Sequence, residues 1–238
     1  HTGQMIKDGA EIIDIGAVST RPNAPLIDGQ EEINRLLPVL KIIRVNYPDI
    51  IISVDTYRST IARQVIKQGA NMINDISGGR FDHNMIDVIA QTGVPYVIMH
   101  IQGTPQNMQI NPVYENIVED IKSFFHRQID KLNKLGVRNI IIDPGFGFGK
   151  SLDHNYELLF KLKSFHTFGL PLMAGISRKS MINKVLGTSP ADALPGTIVL
   201  NTIALLNGTN LLRVHDVKEA MDAIRLVAKY EEFKNSNQ

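Results

Sequence analysis

Polar and charged side chains recur in this sequence directly after short apolar runs. The residues in such places are Asp55, Asn74, Asp75, His100, Asp143, Lys179, Arg213 and His215. Carboxylates and amides exchange hydrogen bonds with polar ligands, whereas Arg, Lys and His bind anions. A single Asp there is more often the N-cap of the next helix, as Asp55, Asp75 or Asp216 could each be. Taken together, the set predicts a site for a ligand that is rich in hydrogen-bonding groups and anionic.

A glycine-rich segment at residues 145–150 follows one of these runs and reads Gly-Phe-Gly-Phe-Gly-Lys. It is not a P-loop, because Pro144 occupies the place where that motif needs its first Gly. One interpretation is a loop whose glycines only permit positive φ angles. The other is a loop that brings its backbone and the rings of Phe146 and Phe148 close to a flat ligand.

The composition excludes several classes of protein. Lys and Arg number 25 against 24 Asp and Glu, and there is no Cys. The balanced charge argues against a nucleic-acid binder, and the lack of Cys excludes disulfides, a thiolate nucleophile and a Cys-bound metal. The seven His are scattered without a metal motif, so only a Mg²⁺ held mainly by phosphate oxygens would escape a motif search. No apolar run spans a membrane and no signal peptide is visible, which predicts a cytoplasmic protein.

Short apolar runs alternate along the chain with longer stretches of helical period. We predict strands at residues 11–15, 50–54, 72–74, 95–99, 139–142, 171–174 and 211–214. This alternation is typical of βα repeats on a parallel sheet. The predicted helix-to-strand joints each hold a glycine, where a left-handed residue commonly ends a helix; these are Gly9, Gly69, Gly93, Gly136, Gly169 and Gly208.

Helices are predicted where apolar residues recur at helical spacing. One face combines Ile33, Leu36, Leu37, Leu40 and Ile43, and another combines Ile117, Ile121, Phe124, Ile129, Leu132 and Leu135. Asp216 with Glu219 resembles the capping box that starts a helix, and predicts a last helix carrying Met221, Ile224, Leu226 and Val227.

Seven strands, each followed by a helix, and a leading helical segment at residues 1–8 fit a (β/α)8 TIM barrel. In this interpretation, the first strand and first loop are missing from the given chain. A doubly wound open sheet is the alternative architecture, but the sequence has no Gly-rich dinucleotide turn. We therefore predict a single barrel domain over residues 1–238, with the polar strand ends on one rim.

Seven motifs carry a resemblance to a known family. They are Asp14-Ile-Gly with Ser19-Thr-Arg-Pro, Val54-Asp-Thr, Ile73-Asn-Asp, Met99-His, Asp143-Pro-Gly-Phe-Gly-Phe-Gly-Lys, Ser177-Arg-Lys-Ser and Arg213-Val-His-Asp. On these motifs the sequence resembles the dihydropteroate synthases of bacterial folate synthesis, from residue 14 to residue 216. The resemblance implies a transferase that condenses 6-hydroxymethyl-7,8-dihydropterin diphosphate with p-aminobenzoate, giving 7,8-dihydropteroate and pyrophosphate.

The resemblance also implies roles for individual residues. The pterin-binding positions are Asp55, Asn74, Asp143 and Lys179. The p-aminobenzoate positions are Thr20, Arg21, Phe148, Lys179 and Ser180. The pyrophosphate positions are Thr20, Arg21, Arg213 and His215. The implied catalytic residues are Asp55, Asp143, Lys179, Arg213 and His215.

The same resemblance implies Mg²⁺ as cofactor, a homodimer and no nucleic-acid or membrane partner. The family's metal-contacting Asn lies on a first loop that these residues lack, so no metal ligand is predicted in this chain. Two other functions stay open at this point. A methyltetrahydrofolate-dependent methyltransferase of the same barrel class is disfavoured by Arg213 with His215, which such an enzyme has no need of. A catalytically silent pterin-binding scaffold is favoured only by the absence of the first loop.

Overall fold

The computed structural model describes residues 1–18 and 27–236, with side chains as far as Phe233. Thr20 and Arg21, which the sequence assigns to two substrate subsites, lie outside the described residues, so their roles stay predictions. Strands and helices alternate throughout the described part of the chain, as the sequence predicts.

Seven parallel strands form the centre of the molecule in the described residues. They are β1 (Ile12–Gly16), β2 (Ile51–Asp55), β3 (Met72–Asp75), β4 (Tyr96–Met99), β5 (Ile140–Asp143), β6 (Met173–Ala174) and β7 (Leu211–Leu212). Strands β1 to β5 pair in chain order, and β6 pairs with β7. An isolated bridge between Ile142 and Leu172 connects the two groups. Each strand lies within a residue or two of its predicted position.

Helices surround the strands and were predicted from the same alternation. They are α1 (Thr2–Lys7), α2 (Gly29–Asn46), α3 (Ser59–Lys67), α4 (Asn84–Thr92), α5 (Ile117–Lys134), α6 (Leu152–Phe160), α7 (Ser180–Leu186), α8 (Leu194–Leu206) and α9 (Val217–Ser236), with 3₁₀ turns at Leu162–Phe168 and Pro190–Asp192. The six glycines predicted to end helices all have positive φ.

The apolar faces of the two long predicted helices are confirmed with one exception. Four of the five predicted residues on α2 are buried and the fifth is partly buried, and α5 buries most of its predicted face. Leu135 is the exception, since it is about half exposed. Helix α5 ends at Lys134, so Leu135 no longer follows the helical period. The last helix begins directly after Asp216, as predicted.

The inside of the ring of strands is packed with side chains. Met72, Val97, Ile141 and Met173 form one buried cluster, against which residues of β1 and β7 also pack. Filling by layers of apolar side chains from successive strands is the construction of a TIM barrel. The chain therefore has an α/β fold of the TIM-barrel class.

Side chains rather than a backbone ladder connect β7 and β1 in the described residues. The guanidinium of Arg213, which follows β7, donates to Asp14 of β1 at 2.7 Å. The two ends of the strand series therefore meet at a charged contact on the rim where the polar residues collect.

None of the helices in residues 1–18 and 27–236 is long and apolar enough to cross a lipid bilayer. The cytoplasmic location stays a prediction.

Candidate active site

The carboxyl ends of the parallel strands bring the predicted side chains to one rim of the barrel. Asp55 and Asp143 are the last residues of β2 and β5, and Asn74 is the third residue of β3. Arg213 directly follows β7, and Lys179 precedes the first residue of α7. This is the face on which TIM-barrel enzymes carry their active sites.

Arg213 joins two carboxylates into one network. Its Nε donates to Asp14 Oδ2 at 2.7 Å, and its Nη2 donates to Asp55 Oδ2 at 3.5 Å. Asn74 Nδ2 donates to the same oxygen of Asp14 at 3.2 Å. Asp14 therefore connects Asn74 with Arg213, and Arg213 in turn connects both to Asp55.

Asp14 belongs to one of the family motifs, but it is not among the site residues predicted from the sequence. The signal that could have found it is a carboxylate placed between Ile13 and Ile15 in an otherwise apolar strand that is largely shielded from solvent. A charge in such a place is stable only with a partner. The partner is Arg213, 199 residues along the chain, which no local pattern reveals.

The environment of Asp55 raises the pKa of its carboxyl from 3.8 to about 7. Burial is the largest cause and the neighbouring charge of Asp14 the next, while Arg213 acts in the opposite direction. Two carboxylates that share one cation cannot both ionise at low cost. The carboxyl of Asp55 therefore titrates near neutral pH.

Lys179 and Asp143 are a second set of opposite charges in the site, and each influences the pKa of the other. Burial lowers the pKa of Lys179 to about 8, and the charge of Asp143 partly offsets this effect. Burial also raises the pKa of Asp143, against the attraction of Lys179. Lys179 Nζ donates to the carbonyl of Phe146 and lies 4.8 Å from the ring centroid of Phe148, within the range of a cation–π contact.

The glycine-rich segment is folded tightly beneath this pair. Gly145 donates its N–H to Asp143 Oδ1 at 2.8 Å and has a φ of +76°. A Cβ at Gly145 would lie 2.0 Å from the carbonyl oxygen of His100, so only glycine fits. The prediction that both rings face the ligand is wrong for Phe146, which is fully buried in the core. Phe148 is only partly buried and lies beside Lys179.

Lys150 and His100 hold the glycine-rich segment from within the protein. Lys150 Nζ donates to the carbonyl of Phe148 at 3.1 Å and lies 3.2 Å from His100 Nδ1. Burial lowers the pKa of both groups well below their usual values. His100 therefore supports the loop instead of joining the anion-binding groups of the rim.

Asp75 does not belong to the candidate site, although it follows an apolar run as the others do. Its carboxylate accepts hydrogen bonds from Tyr96 Oη, from the N–H of Gly79, and from both the N–H and the hydroxyl of Ser77. Successive strand residues point to opposite sides, so Asn74 and Asp75 face different environments. Asp75 fixes the turn after β3.

Two adjacent contacts tie the loop after β6 to the loop after β7. Ser177 Oγ lies 3.0 Å from His215 Nδ1, and Arg178 pairs with both carboxylate oxygens of Asp216 at 2.9 and 2.7 Å. Arg178 has a φ of +55°, a strained angle that these contacts offset. Ser180 begins α7 and is exposed. The loop carrying Lys179 is thus fixed relative to the loop carrying Arg213 and His215.

The described residues do not form a resident metal site. No three His, Asp or Glu side chains in them come close enough together to hold an ion. The carboxylates of Asp14 and Asp55 are both contacted by the guanidinium of Arg213. The donor set therefore suits an anion beside Arg213 better than a metal ion held by protein oxygens alone.

Comparison with known proteins agrees with this geometry. The family described as "Pterin binding enzyme" matches residues 1–215. The chain is 42% identical over 229 residues to the dihydropteroate synthase of Escherichia coli K12, covering 95% of this chain and 80% of that protein. A crystal structure of the Yersinia pestis dihydropteroate synthase with a sulfonamide drug complex superposes with a TM-score of 0.93 at 38% identity, covering 97% and 84% of the two chains. The Xanthomonas albilineans dihydropteroate synthase with 4-aminobenzoic acid gives 0.91 at 33% identity, covering 97% and 82%.

Proposed function

Since the chain belongs to the pterin binding enzyme family, among the dihydropteroate synthases, we propose that its rim residues divide into three substrate subsites. It is a transferase that condenses 6-hydroxymethyl-7,8-dihydropterin diphosphate with p-aminobenzoate to give 7,8-dihydropteroate and pyrophosphate. The residues act within one domain covering residues 1–238. The other two functions that the sequence leaves open are not needed to account for the site.

The pterin subsite combines Asp55, Asn74, Asp143 and Lys179. A pterin edge offers an amino group and ring N–H groups as donors, together with a carbonyl and ring nitrogens as acceptors. Asp143 is the acceptor for the donors of the pterin, because its carboxylate is buried and the positive charge of Lys179 favours its ionised form. The ammonium of Lys179 and the amide N–H₂ of Asn74 donate hydrogen bonds to the acceptors of the pterin.

The other two subsites flank the pterin. Phe148 supplies a face for the ring of p-aminobenzoate, and Lys179 with Ser180 supplies donors for that side of the substrate. Arg213 and His215 bind the diphosphate, for which the planar guanidinium is well suited. Thr20 and Arg21 are proposed to contribute to both of these subsites.

The reaction is a displacement at the exocyclic methylene of the pterin. The C–O bond to the diphosphate breaks, the C–N bond to the arylamine forms, and the amine gives up one proton. Arg213 and His215 stabilise the negative charge that grows on the leaving group. Asp55 and Asp143 stabilise the positive charge that develops on the pterin. The arylamine is a weak base that needs no strong deprotonation before it attacks.

The observation that supports this proposal is the network of Arg213 with Asp14, Asp55 and Asn74, in which a cation contacts Asp55 directly and is connected to Asn74 through Asp14. The test is pyrophosphate release by the purified chain with dihydropterin diphosphate, Mg²⁺ and p-aminobenzoate. A parallel assay uses a longer chain carrying an upstream segment with the family's first loop. Release that depends on p-aminobenzoate supports the proposal. Pterin binding without release from either chain contradicts it.

The activity is expected to have a narrow pH range. Asp55 must lose its proton to act as a carboxylate, so kcat/KM should rise with pH through about 7. Lys179 must keep its proton, so kcat/KM should fall as pH rises through about 8. The measurement is kcat/KM for the pterin substrate against pH. Lys179→Arg should lose the basic limb, because a guanidinium does not titrate in this range. A wild-type profile that is flat from about pH 6 to 9 would contradict the assignment.

We propose that Mg²⁺ enters with the diphosphate instead of residing in the protein, because no three His, Asp or Glu side chains of the described residues lie close enough together to hold it by themselves. Calorimetric titration of the chain with Mg²⁺ alone should show binding no tighter than about 1 mM, as for weak oxygen sites. Pyrophosphate should bind more tightly with Mg²⁺ than with EDTA present. Tight binding of Mg²⁺ to the chain alone, or pyrophosphate affinity unaffected by EDTA, would contradict the proposal.

We propose a homodimer formed through α8 and α9. Helix α8 has no charged residue, and three of its apolar side chains, Val199, Ile203 and Leu206, are exposed. Leu226 and Tyr230 on α9 are also exposed and lie along the same apolar groove as Leu206. A patch of this kind marks an interaction site, and a second copy of the chain is the commonest partner.

Leu226→Glu should therefore reduce the mass of the protein in light scattering from that of a dimer to that of one chain. Ile42→Glu is the matched control, because Ile42 is also a largely exposed apolar residue but lies on α2 and does not line this groove. A wild-type chain that is monomeric at high concentration would refute the dimer.

A further inference from the structure

We infer that Ser177 is a positioning residue that fixes the tautomer of His215, so that His215 presents a proton-bearing nitrogen to the diphosphate. The inference rests on the proposed role of His215 in binding that group. Ser177 is not among the residues to which the sequence or the family resemblance gives a role. It is buried at the start of the loop after β6, immediately before the strained Arg178.

Two hydrogen bonds connect Ser177 with His215. The backbone N–H of His215 donates to Ser177 Oγ at 3.3 Å, and the same oxygen lies 3.0 Å from His215 Nδ1. A serine hydroxyl has one proton to donate and lone pairs to accept. If Nδ1 carried the proton and donated to this oxygen, the buried hydroxyl would have nowhere to donate its own proton, whereas donation from the hydroxyl to Nδ1 satisfies both groups. Within the described residues the hydroxyl has no other acceptor.

A neutral imidazole has one nitrogen that donates and one that accepts, and the partner of one nitrogen sets the state of the other. With Nδ1 accepting from Ser177, the proton of the neutral ring lies on Nε2. An N–H donates to a phosphate oxygen, whereas a bare nitrogen presents a lone pair that repels it. The hydroxyl of Ser177 therefore keeps the ring in the form that binds an anion.

The neighbouring contact keeps this arrangement in place. Arg178 and Asp216 follow Ser177 and His215 in their two loops, and their paired hydrogen bonds hold the loops in register. Arg178 also donates its backbone N–H to Thr197 Oγ1 at 3.1 Å. The Arg178–Asp216 pair provides a control for Ser177. Weakening this pair should disturb the same two loops but leave the hydrogen bond at His215 Nδ1 in place.

The test compares Ser177→Ala, Ser177→Thr and Asp216→Asn. The ¹⁵N chemical shifts of His215, assigned with a His215→Gln variant and recorded where the ring is neutral, report its tautomer in the protein without ligand. We expect protonation at Nε2 in the wild type, in Ser177→Thr and in Asp216→Asn, and a mixture of both tautomers in Ser177→Ala. Pyrophosphate affinity in Ser177→Ala should fall about twofold, because only about half of the rings then carry their proton on Nε2. The affinity for 6-hydroxymethylpterin, which lacks the diphosphate, should stay unchanged.

Each other outcome overturns a definite part of the inference. Protonation at Nδ1 in the wild type, or the same shifts in Ser177→Ala as in the wild type, would show that Ser177 does not set the tautomer. A changed tautomer with unchanged pyrophosphate affinity would show that His215 does not bind the diphosphate, which refutes the proposed role of His215 instead. An equal loss of pterin and pyrophosphate affinity in Ser177→Ala would show a purely structural role.

Discussion

Asp143→Asn is expected to weaken the binding of 6-hydroxymethylpterin by about 100-fold. In the proposed pterin subsite the carboxylate accepts from two donors of the pterin, and hydrogen bonds to a charged group contribute about 1.5–3 kcal/mol each. The Asn amide keeps one acceptor but turns an N–H₂ group toward a donor. It can still accept the N–H of Gly145, which the wild-type carboxylate binds at 2.8 Å, so the glycine-rich loop should keep its fold.

A calorimetric Kd checks this result, with Asp153→Asn as the control because Asp153 is exposed on α6 and loses the same charge outside the site. A second effect should accompany the first. The charge of Asp143 raises the pKa of Lys179, so the basic limb of the pH profile should move below about 8 in this variant. Normal pterin affinity in Asp143→Asn would overturn the assignment of the pterin subsite.

Arg213→Met is expected to lower kcat/KM for the pterin diphosphate by about 10³-fold. Removal of one preorganised group that stabilises transition-state charge costs about 10²–10³-fold, and this substitution also leaves Asp14 and Asp55 facing each other without a cation. Because Arg213 lowers the pKa of Asp55, that pKa should rise above about 7 and leave less carboxylate at neutral pH.

The measurement is kcat/KM beside the Kd of pyrophosphate. Arg213→Lys keeps the positive charge but cannot contact Asp14 and Asp55 at the same time as a guanidinium does. Compared with Arg213→Met, it should therefore recover the stability of the protein more than its turnover. Arg225→Met on α9 is the control, since Arg225 is exposed and lies outside the rim. Turnover within about threefold of the wild type in Arg213→Met would refute the proposed diphosphate subsite, because even one missing donor costs more.

The strands could be predicted from the sequence because a parallel strand buried on both faces is a short apolar run. The predictions are least accurate at the two shortest strands: β7, expected over residues 211–214, ends at Leu212, and β6, expected over residues 171–174, begins only at Met173. Pro171 has no N–H to give to a ladder, although its carbonyl still accepts from Ile142. The boundary therefore depends on hydrogen bonds that hydrophobicity does not record.

The site could be predicted in part, because residues just after the strands of a barrel meet on one rim. Pattern alone could not distinguish Phe146 from Phe148, since one turn of glycine-rich backbone sends one ring into the core and the other toward Lys179. It also could not pair residues far apart in the chain. The contacts of Asp14 with Arg213 and of Ser177 with His215 exist only once the barrel brings the strand ends together.

Asn74 and Asp75 are consecutive residues that serve the protein in different ways, and a genetic screen would record both as intolerant of change. Asp75 accepts four hydrogen bonds that fix a turn, so losing it should make the protein fail at higher growth temperature. Cooling or an abundant chaperone should rescue such a strain. Neither should rescue a strain with altered Asn74, whose protein would fold and remain inactive. Because consecutive residues of β3 point to opposite sides, mutations in two adjacent codons should differ in kind: those at Asp75 should be temperature-sensitive, and those at Asn74 should inactivate the protein at every temperature.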